Sequence, residues 1–266
     1  PIKSFATRLA LDYIRRRPKF VKQSRDLTLI LEGEYGLFKD DKLTLSFFNT
    51  GEKHPMLQFA DDGNWCLPHQ LIGIELEWEN CINVPLKERM EYWTYEQDGS
   101  LRAHIGGRGS PLEFKLKQPL AGHNLTESIA EMQETLKNMS VSATDRTSLH
   151  IHADMNHITI EQLRKVLIQY AIFESVLFKY CGNPTKFYCA EWADKQKYFP
   201  ISHLTSWRNL WSALGDNFKY SGLNISALRK HNSLEFRMHP GTASMDKVKT
   251  WIRIIMQLSK NIDLVP

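Results

Sequence analysis

The sequence predicts an α+β protein in which a curved antiparallel sheet packs helices on its convex face and presents a polar pocket on its concave face. Strand-like and helix-like segments are mixed without a strict β-α-β alternation. Four segments alternate charged and large apolar side chains, the pattern of strands with one polar and one buried face. The chain has 266 residues, 42% of them hydrophobic, which is enough to bury a substantial core.

We predict that residues 1–67 form an accessory region made of a helix and short strands. Residues 4–17 have apolar side chains at helical spacing, and a basic run follows within residues 15–25. Residues 26–67 contain short β-rich runs between turn-like clusters, which predicts an antiparallel meander. We expect a catalytic domain over residues 68–266.

The strand predicted over residues 72–78 contains the most distinctive pattern. Its alternation places Glu75, Glu77 and Glu79 on one face and apolar side chains on the other. A sheet with one solvated face is the plain interpretation. Three like charges spaced about 7 Å apart repel each other, however, and a bound cation would relieve that repulsion.

The next strand is predicted over residues 111–116, and it places Glu113 among apolar neighbours. Before it, Asp98-Gly99 indicates a tight hairpin turn; we favour this structural interpretation, with a secondary role open to Asp98. Residues 106–109 form a glycine-rich loop that could wrap phosphate, although a flexible connection between strands is the favoured interpretation.

Four helices are predicted, over residues 125–136, 159–181, 207–214 and 246–259. The second is the best defined, because Thr159 and Gln162 form a capping box and Gly182 supplies a stop signal. Glu174 lies on its apolar face, where a buried structural hydrogen bond is favoured over a contact with a pocket. A polar linker over residues 140–148 is expected after the first helix.

Two further strands repeat the separation of charged and apolar faces. In one, His150 and His152 share a face with a carboxylate; in the other, Glu235, Arg237 and His239 share a face. Carboxylates with few soft ligands suit Mg²⁺ or Mn²⁺, which usually share their coordination with substrate phosphate, and the arginine fork matches a phosphoryl group. These side chains therefore predict a polar site for a metal and a nucleotide.

Composition narrows the classes of function. A net charge of +4, from 34 basic and 30 acidic residues, is too balanced to make nucleic acid or an anionic membrane the default partner. No window approaches the roughly 18 apolar residues of a membrane span. The four cysteines lack the spacing of a metal site or a disulfide scaffold, so we expect a cytoplasmic protein with reduced thiols. The P-loop, Rossmann, HExxH and GxSxG motifs are absent from the sequence.

Several of these motifs occur together in one order along the chain: GIELEWE, DGSL, SPLEF, SLHIHAD, KYSGLNISAL and LEFRMHPGTAS. Their ordered combination, over residues 73–258, resembles the amidoligase family, carboxylate-amine ligases related to glutamine synthetase and glutamate-cysteine ligase. The resemblance implies a curved antiparallel sheet with a funnel-like active site, in which carboxylates and a histidine hold Mg²⁺ around ATP. Many family members have a Cys-Gly pair where this chain has Thr147-Ser148.

The resemblance also implies roles for individual residues. The implied metal ligands are Glu75, Glu77, Glu113, His150 or His152, and Glu235. Arg237 is the implied phosphate clamp, and Asn224 and Arg108 are weaker matches for cofactor contacts. Arg237, Glu75 and Glu235 are therefore the candidate catalytic residues.

The function expected from the sequence is ATP-dependent amide formation through an acyl phosphate. The carboxylate and amine substrates are either small molecules or groups on a polymer, and the sequence does not identify them or the oligomeric state. One alternative is a divalent-metal hydrolase that uses the same ligands to activate water. A second alternative is a binding module for nucleic acid or a protein partner that uses the basic N-terminal run, which has no stacking series of aromatic residues.

Overall fold

One antiparallel sheet and the helices packed on it make up most of the described chain. The structure is a computed structural model, and it describes residues 70–102, 109–156, 158–182, 189–190, 204–214 and 216–260, with the backbone alone of residues 38–39 and 42–43. The architecture is α+β, as the mixed order of strand and helix patterns predicts.

The strands form two sheets. A small antiparallel pair consists of β1 (Phe38–Lys39) and β2 (Lys42–Leu43). The main sheet has seven strands: β3 (Ile72–Ile82), β4 (Trp93–Glu96), β5 (Ser110–Leu116), β6 (Ser140–Ser142), β7 (Ser148–Asp154), β8 (Leu223–Asn224) and β9 (Ser233–Pro240). Its order is β4-β5-β3-β7-β9-β8, β6 pairs with the end of β3, and all these pairs are antiparallel.

Five α-helices lie in the described part of the chain: α1 (Gly122–Asn138), α2 (Ile160–Tyr180), α3 (Trp207–Ala213), α4 (Ala227–His231) and α5 (Met245–Lys260). Single 3₁₀ turns occur at Lys87–Arg89 and Asp216–Tyr220. Helix α5 contacts β7, α1 and α2. Tyr170 of α2 packs edge-on against Phe236 of β9, with ring centroids 6.0 Å apart. The helices therefore cover the apolar face of the sheet and leave its other face for polar side chains.

The helices agree with the periodicity of the sequence. Leu125, Ile129 and Met132 of α1 are buried at the spacing of one helix face. The capping box of α2 is confirmed: Gln162 N–H donates to Thr159 Oγ1 at 3.1 Å, and Thr159 N–H donates to the Gln162 side chain at 2.8 Å. Gly182, which follows α2, has a φ of 78°, a left-handed conformation that glycine tolerates best.

Two strand predictions need correction. Strand β3 does not end at Trp78 but continues to Ile82, with an irregular register around Asn80, whose φ is 53°. The prediction of a polar linker at residues 140–148 is wrong at both ends. Ser140–Ser142 is strand β6, which pairs with this extension, and residue 148 begins β7. The short run was missed because three residues are too few for alternation to be recognised.

Strand β9 does not keep a simple alternation along its length. Ile151 lies opposite Phe236, whereas Leu149 lies opposite His239, so β9 has one more residue than β7 between the two pairs. This bulge turns the buried His239 toward the helices, where its ring lies 5.4 Å from that of Trp251. The prediction that His239 shares the polar face of the charged residues before it is wrong for this reason.

Some elements were not predicted, and some predictions cannot be compared with the structure. Neither β8 nor α4 was expected as a separate element. The predicted helix over residues 4–17, the basic run within 15–25 and most of the meander over 26–67 lie outside the described residues, except for the pair β1 and β2. In the part of the chain that the structure describes, no helix has the length and apolar character needed to cross a bilayer.

Candidate active site

Alternation along β3 separates a core face from a face of carboxylates. Ile74, Leu76 and Trp78 are at most 1% exposed and pack under the helices. Glu75 and Glu77 project from the opposite face, as the period of two predicts. The strand therefore fixes both carboxylates through the burial of the apolar residues between them.

Glu79 is the third carboxylate of this face, but its surroundings differ from those of the other two. Its oxygens accept hydrogen bonds from Arg146 Nε and Nη2, both at 2.8 Å, from Thr144 Oγ1 at 3.1 Å and from the backbone N–H of Arg102 at 2.9 Å. The Arg146 guanidinium holds the pKa of Glu79 below its usual value. For this residue an arginine, not a bound cation, supplies the opposite charge.

Glu75 lies between the two histidines of β7. Its Oε2 is 3.0 Å from Nδ1 of His150, which is directly opposite it, and its Oε1 is 3.3 Å from Nε2 of His152. Burial would raise the pKa of Glu75, but the hydrogen bonds from both imidazoles outweigh burial and hold this pKa well below its usual range. Gly73 lies opposite His152, and a Cβ there would be only 3.1 Å from that of the histidine, so the glycine leaves room for the imidazole.

Glu77 and Glu113 form a second pair, made of like charges. They are directly opposite on β3 and β5, and carboxylate oxygens of both lie within 4.8 Å of an oxygen of Asp98. Burial first, and then the charges of Glu75, Asp98 and Glu77, raise the pKa of Glu113 to about 7. This corner of the site therefore brings three carboxylates together.

Asp98 is a site residue that the sequence indicated only as a turn. Its carbonyl accepts from the N–H of Leu101 at 3.2 Å, and its Oδ1 accepts from the N–H of Ser100 at 2.7 Å. A turn forms at Asp98-Gly99 as predicted, but the prediction of a tight hairpin is wrong, because the paired strands β4 and β5 are separated by the whole connection 97–109. The turn aims the carboxylate of Asp98 at the pair formed by Glu77 and Glu113.

Glu235 of β9 accepts hydrogen bonds from one residue of β8 and one of β9. Asn224 Nδ2 donates to Glu235 Oε2 at 2.5 Å, and Arg237 Nη1 donates to the other oxygen. Oε1 of Glu235 also lies 3.6 Å from Nδ1 of His150. Within the described residues, the buried Nε of Arg237 has no hydrogen-bond partner. Asn224 and Arg237, expected as cofactor contacts, thus both touch the carboxylate, while Arg108 lies outside the described residues.

Two clefts open on this face and meet at a shared boundary formed by Glu75, Glu113 and Lys219. The first, which we call the arginine cleft, has a volume of about 640 Å³, and its walls include Arg102, Arg146 and Arg237. The second, the lysine cleft, has a volume of about 710 Å³, and its walls include Lys115, Lys117 and Lys230. Of these cations, only Arg237 was assigned a role from the sequence, although Lys115 lies in one of the alternating segments.

The carboxylates and imidazoles form three groups that fit a divalent cation. The groups are Glu75, Glu113 and His150; Glu75, His152 and Glu235; and Glu77, Asp98 and Glu113. In each, one potential ligand atom from every residue lies within 4.8 Å of the others. Carboxylate oxygens with at most one imidazole are the donor set of Mg²⁺ and Mn²⁺. All six residues expected as metal ligands fall in these groups, and Asp98 joins them.

Comparison with protein-family models gives one match. Residues 85–259 match the model described as a putative amidoligase enzyme. The matched segment includes Glu113, both histidines of β7 and the charged residues of β9, whereas Glu75 and Glu77 precede it. No curated protein and no solved structure matches the chain significantly.

Proposed function

This chain belongs to the amidoligase family, and from that premise we propose that it is an ATP-dependent carboxylate-amine ligase that works through an acyl phosphate. One observation carries the proposal: carboxylates, an imidazole pair and an arginine converge where the two clefts meet. We further propose that the paired clefts correspond to the two mouths of a funnel-like site, one for the nucleotide and one for the carboxylate substrate.

The reaction needs ATP because a carboxylate resists direct attack by an amine. Its negative charge is delocalised, and its oxygen is a poor leaving group. In the proposed first step, a carboxylate oxygen forms a bond to the γ-phosphorus of ATP, and the bond from that phosphorus to ADP breaks. The amine nitrogen then attacks the acyl carbon, phosphate leaves with the bonding electrons, and the amine loses a proton.

The proposed metal ligands of the chain are Glu75, Glu77, Asp98, Glu113, His150, His152 and Glu235. Mg²⁺ bound there would supply positive charge that neutralises phosphate oxygens and orients them for in-line transfer. The pairing of Glu75 with two imidazoles keeps its carboxylate ionised and ready to bind a cation. Asn224 holds Glu235 in a fixed orientation, so that its role is to position a ligand.

Arg237 is the proposed stabiliser of the transferred phosphoryl group. Its guanidinium lies beside Glu235, and its Nε is an unpaired donor among the described residues. An arginine fork matches the equatorial oxygens of a phosphoryl group as they gain charge in transfer. No protein nucleophile is required, and the buried thiols of Cys81 and Cys181 are poor candidates, because burial raises the pKa of Cys81 to about 11 and that of Cys181 well above its ordinary value.

The remaining expectations stay proposals about the whole protein. The three described cysteines are free thiols, which supports the proposed cytoplasmic location. We propose that residues 1–67 form an accessory region, that small-molecule or polymer-attached carboxylates and amines are the substrates, and that nucleic acid is not a partner. A net charge of +4 supports the last of these.

The test is an assay of nucleotide products with hydroxylamine as the amine, since it converts any acyl phosphate to a hydroxamate. We expect Mg²⁺-dependent release of ADP and phosphate, together with hydroxamate, and transfer of ¹⁸O from a labelled carboxylate to phosphate. Release of AMP and pyrophosphate, or phosphate without the label, would contradict the acyl phosphate. Metal-dependent cleavage of amides without nucleotide consumption would indicate the hydrolase instead.

A further inference from the structure

We propose that the arginine cleft binds an acidic substrate with two anionic groups, and that Arg102 binds the group that does not react. The reacting carboxylate lies at the inner end of the cleft, beside the candidate metal ligands. This inference rests on the proposed function, because it specifies the class of carboxylate that the ligase activates.

The charges lining the arginine cleft leave Arg102 without a matching anion. Arg146 is paired with Glu79, and Arg237 is paired with Glu235. Among the described residues, the side chain of Arg102 has no ion pair. A guanidinium at the wall of a cleft, with no carboxylate from its own chain, is suited to an anion from outside.

Under the proposed function, four carboxylates of the arginine cleft bind cations and are therefore not partners of Arg102. Glu75, Glu77, Asp98 and Glu113 all belong to the groups that fit a divalent cation. Asp145 is also on the wall, near Arg146, whose pKa is raised chiefly by its hydrogen bond to Glu79 and further by the charge of Asp145. Once cations occupy the metal ligands, the cations of the cleft without an ion pair among the described residues are Arg102 and Lys219.

The backbone at Arg102 is fixed even though its side chain is exposed. Its N–H donates to the buried carboxylate of Glu79 at 2.9 Å, and the turn from Asp98 to Leu101 leads directly into it. Ser100 lies on the same wall and offers a hydroxyl. The planar fork of arginine can bind a carboxylate or a phosphate through two hydrogen bonds, so either group fits as the second anion.

The lysine cleft differs in a way that suits the nucleotide. Its wall includes the apolar side chains of Leu71, Leu116 and Pro119, against which a base can pack, and Lys230, which suits a phosphate. Lys115 and Lys117 are already bonded to Glu96 and to the Met90 carbonyl. Among the described residues of the arginine cleft, only Tyr220 offers a comparable surface. A small and strongly polar substrate therefore fits the arginine cleft better than a nucleoside does.

The test measures binding, so it does not depend on turnover. Protein saturated with Mg²⁺ and a non-hydrolysable ATP analogue is titrated calorimetrically with succinate, glutarate and phosphonopropionate, and with succinamate and glutaramate as matched monoanions. We expect the dianions to bind about tenfold more tightly or better, the value of one charge-assisted hydrogen bond. Arg102→Gln should abolish this preference, Arg102→Lys should keep part of it, and Arg89→Gln, on an exposed 3₁₀ turn outside both clefts, should leave it unchanged.

Several results would overturn the inference. Equal affinity for dianions and monoanions, failure of every dianion to bind, or a preference that survives in Arg102→Gln would each do so. Failure of the proposed function looks different, since dianions would then bind through Arg102 without any ADP or hydroxamate being formed. Conversely, efficient hydroxamate formation from monocarboxylates alone would support the ligase and reject the acidic substrate.

Discussion

Glu77 and Glu113 lie directly opposite each other on neighbouring strands, and a carboxylate oxygen of Asp98 lies within 4.8 Å of both. Like charges in this position destabilise a sheet. The effect is seen at Glu113, because burial and its acidic neighbours raise its pKa to about 7. Its ionisation therefore opposes folding unless a cation is bound.

We predict that Glu113→Gln stabilises the metal-free protein by about 1–2 kcal/mol at pH 8. Because the pKa of Glu113 is higher in the folded state, its ionisation costs stability as pH rises from the ordinary value of 4.5 to about 7. The gain should thus be absent at pH 4 and complete above pH 7. Urea unfolding at both pH values, with EDTA and then with excess Mg²⁺, measures it. A gain that is the same at every pH, or that persists with Mg²⁺, would contradict the assignment.

Glu75→Gln and Glu235→Gln should each lower Mg²⁺-dependent ADP release about 100-fold or more, because each removes a ligand charge. Neither should be stabilising, since Glu75 loses its two imidazole partners and Glu235 its arginine. The control is Glu134→Gln on the exposed side of α1, where only an ion pair with Lys137 is lost. Wild-type turnover in either site variant would remove that residue from the metal site.

Glu79→Gln should lower the Tm at pH 7, since it removes the charge of the buried carboxylate that accepts hydrogen bonds from Arg146, Thr144 and the Arg102 N–H. The pKa of Glu79 is lowered in the folded state, so its contribution is full above the ordinary value of 4.5 and is lost as pH falls further. Denaturation curves of the variant and wild type should therefore converge in acid. Curves that stay equally far apart at low pH would show that shape, not charge, accounts for the loss.

Arg237→Lys keeps the positive charge but loses the planar fork. If Arg237 stabilises charge that develops during phosphoryl transfer, kcat should fall about 100-fold while the affinity for nucleotide changes little. A purely structural arginine, paired only with Glu235, would instead give a lower Tm. Measuring kcat per folded molecule beside Tm distinguishes the two roles, and near-normal kcat in a destabilised variant would exclude Arg237 from the mechanism.

Gly241→Ala should destabilise the protein by about 1–3 kcal/mol through overpacking. A Cβ at this position would lie 2.2 Å from Oγ1 of Thr147, which is buried and bonded to Thr144. The threonine and the glycine therefore pack as a pair. Thr147→Ser in the Gly241→Ala background tests this pairing, because removing the methyl group while keeping the hydroxyl should leave most of the loss in place. Full recovery of Tm in the double variant would show that the methyl group alone causes the clash.

The sequence by itself determined the polar face of the strands that contain Glu75, Glu113, His150 and Glu235. The alternation around Glu75, His150 and Glu235 needs only the period of two of a strand, and the capping box of α2 needs only contacts three residues apart. The resemblance of the ordered motifs to amidoligases agreed with the later family match. These features depend on patterns within short segments, so the amino-acid sequence is sufficient to recognise them.

Only the tertiary structure decided how those faces combine, because strand order and register depend on contacts between distant segments. Register placed Glu75 opposite His150, and it placed Glu113 opposite Glu77, where the pKa of Glu113 is raised. A bulge of one residue removed His239 from the polar face, which no alternation along a single strand could reveal. The partner of Glu79, the turn that aims Asp98 and the unmatched charge of Arg102 all come from loops, whose positions are set by packing against the completed sheet.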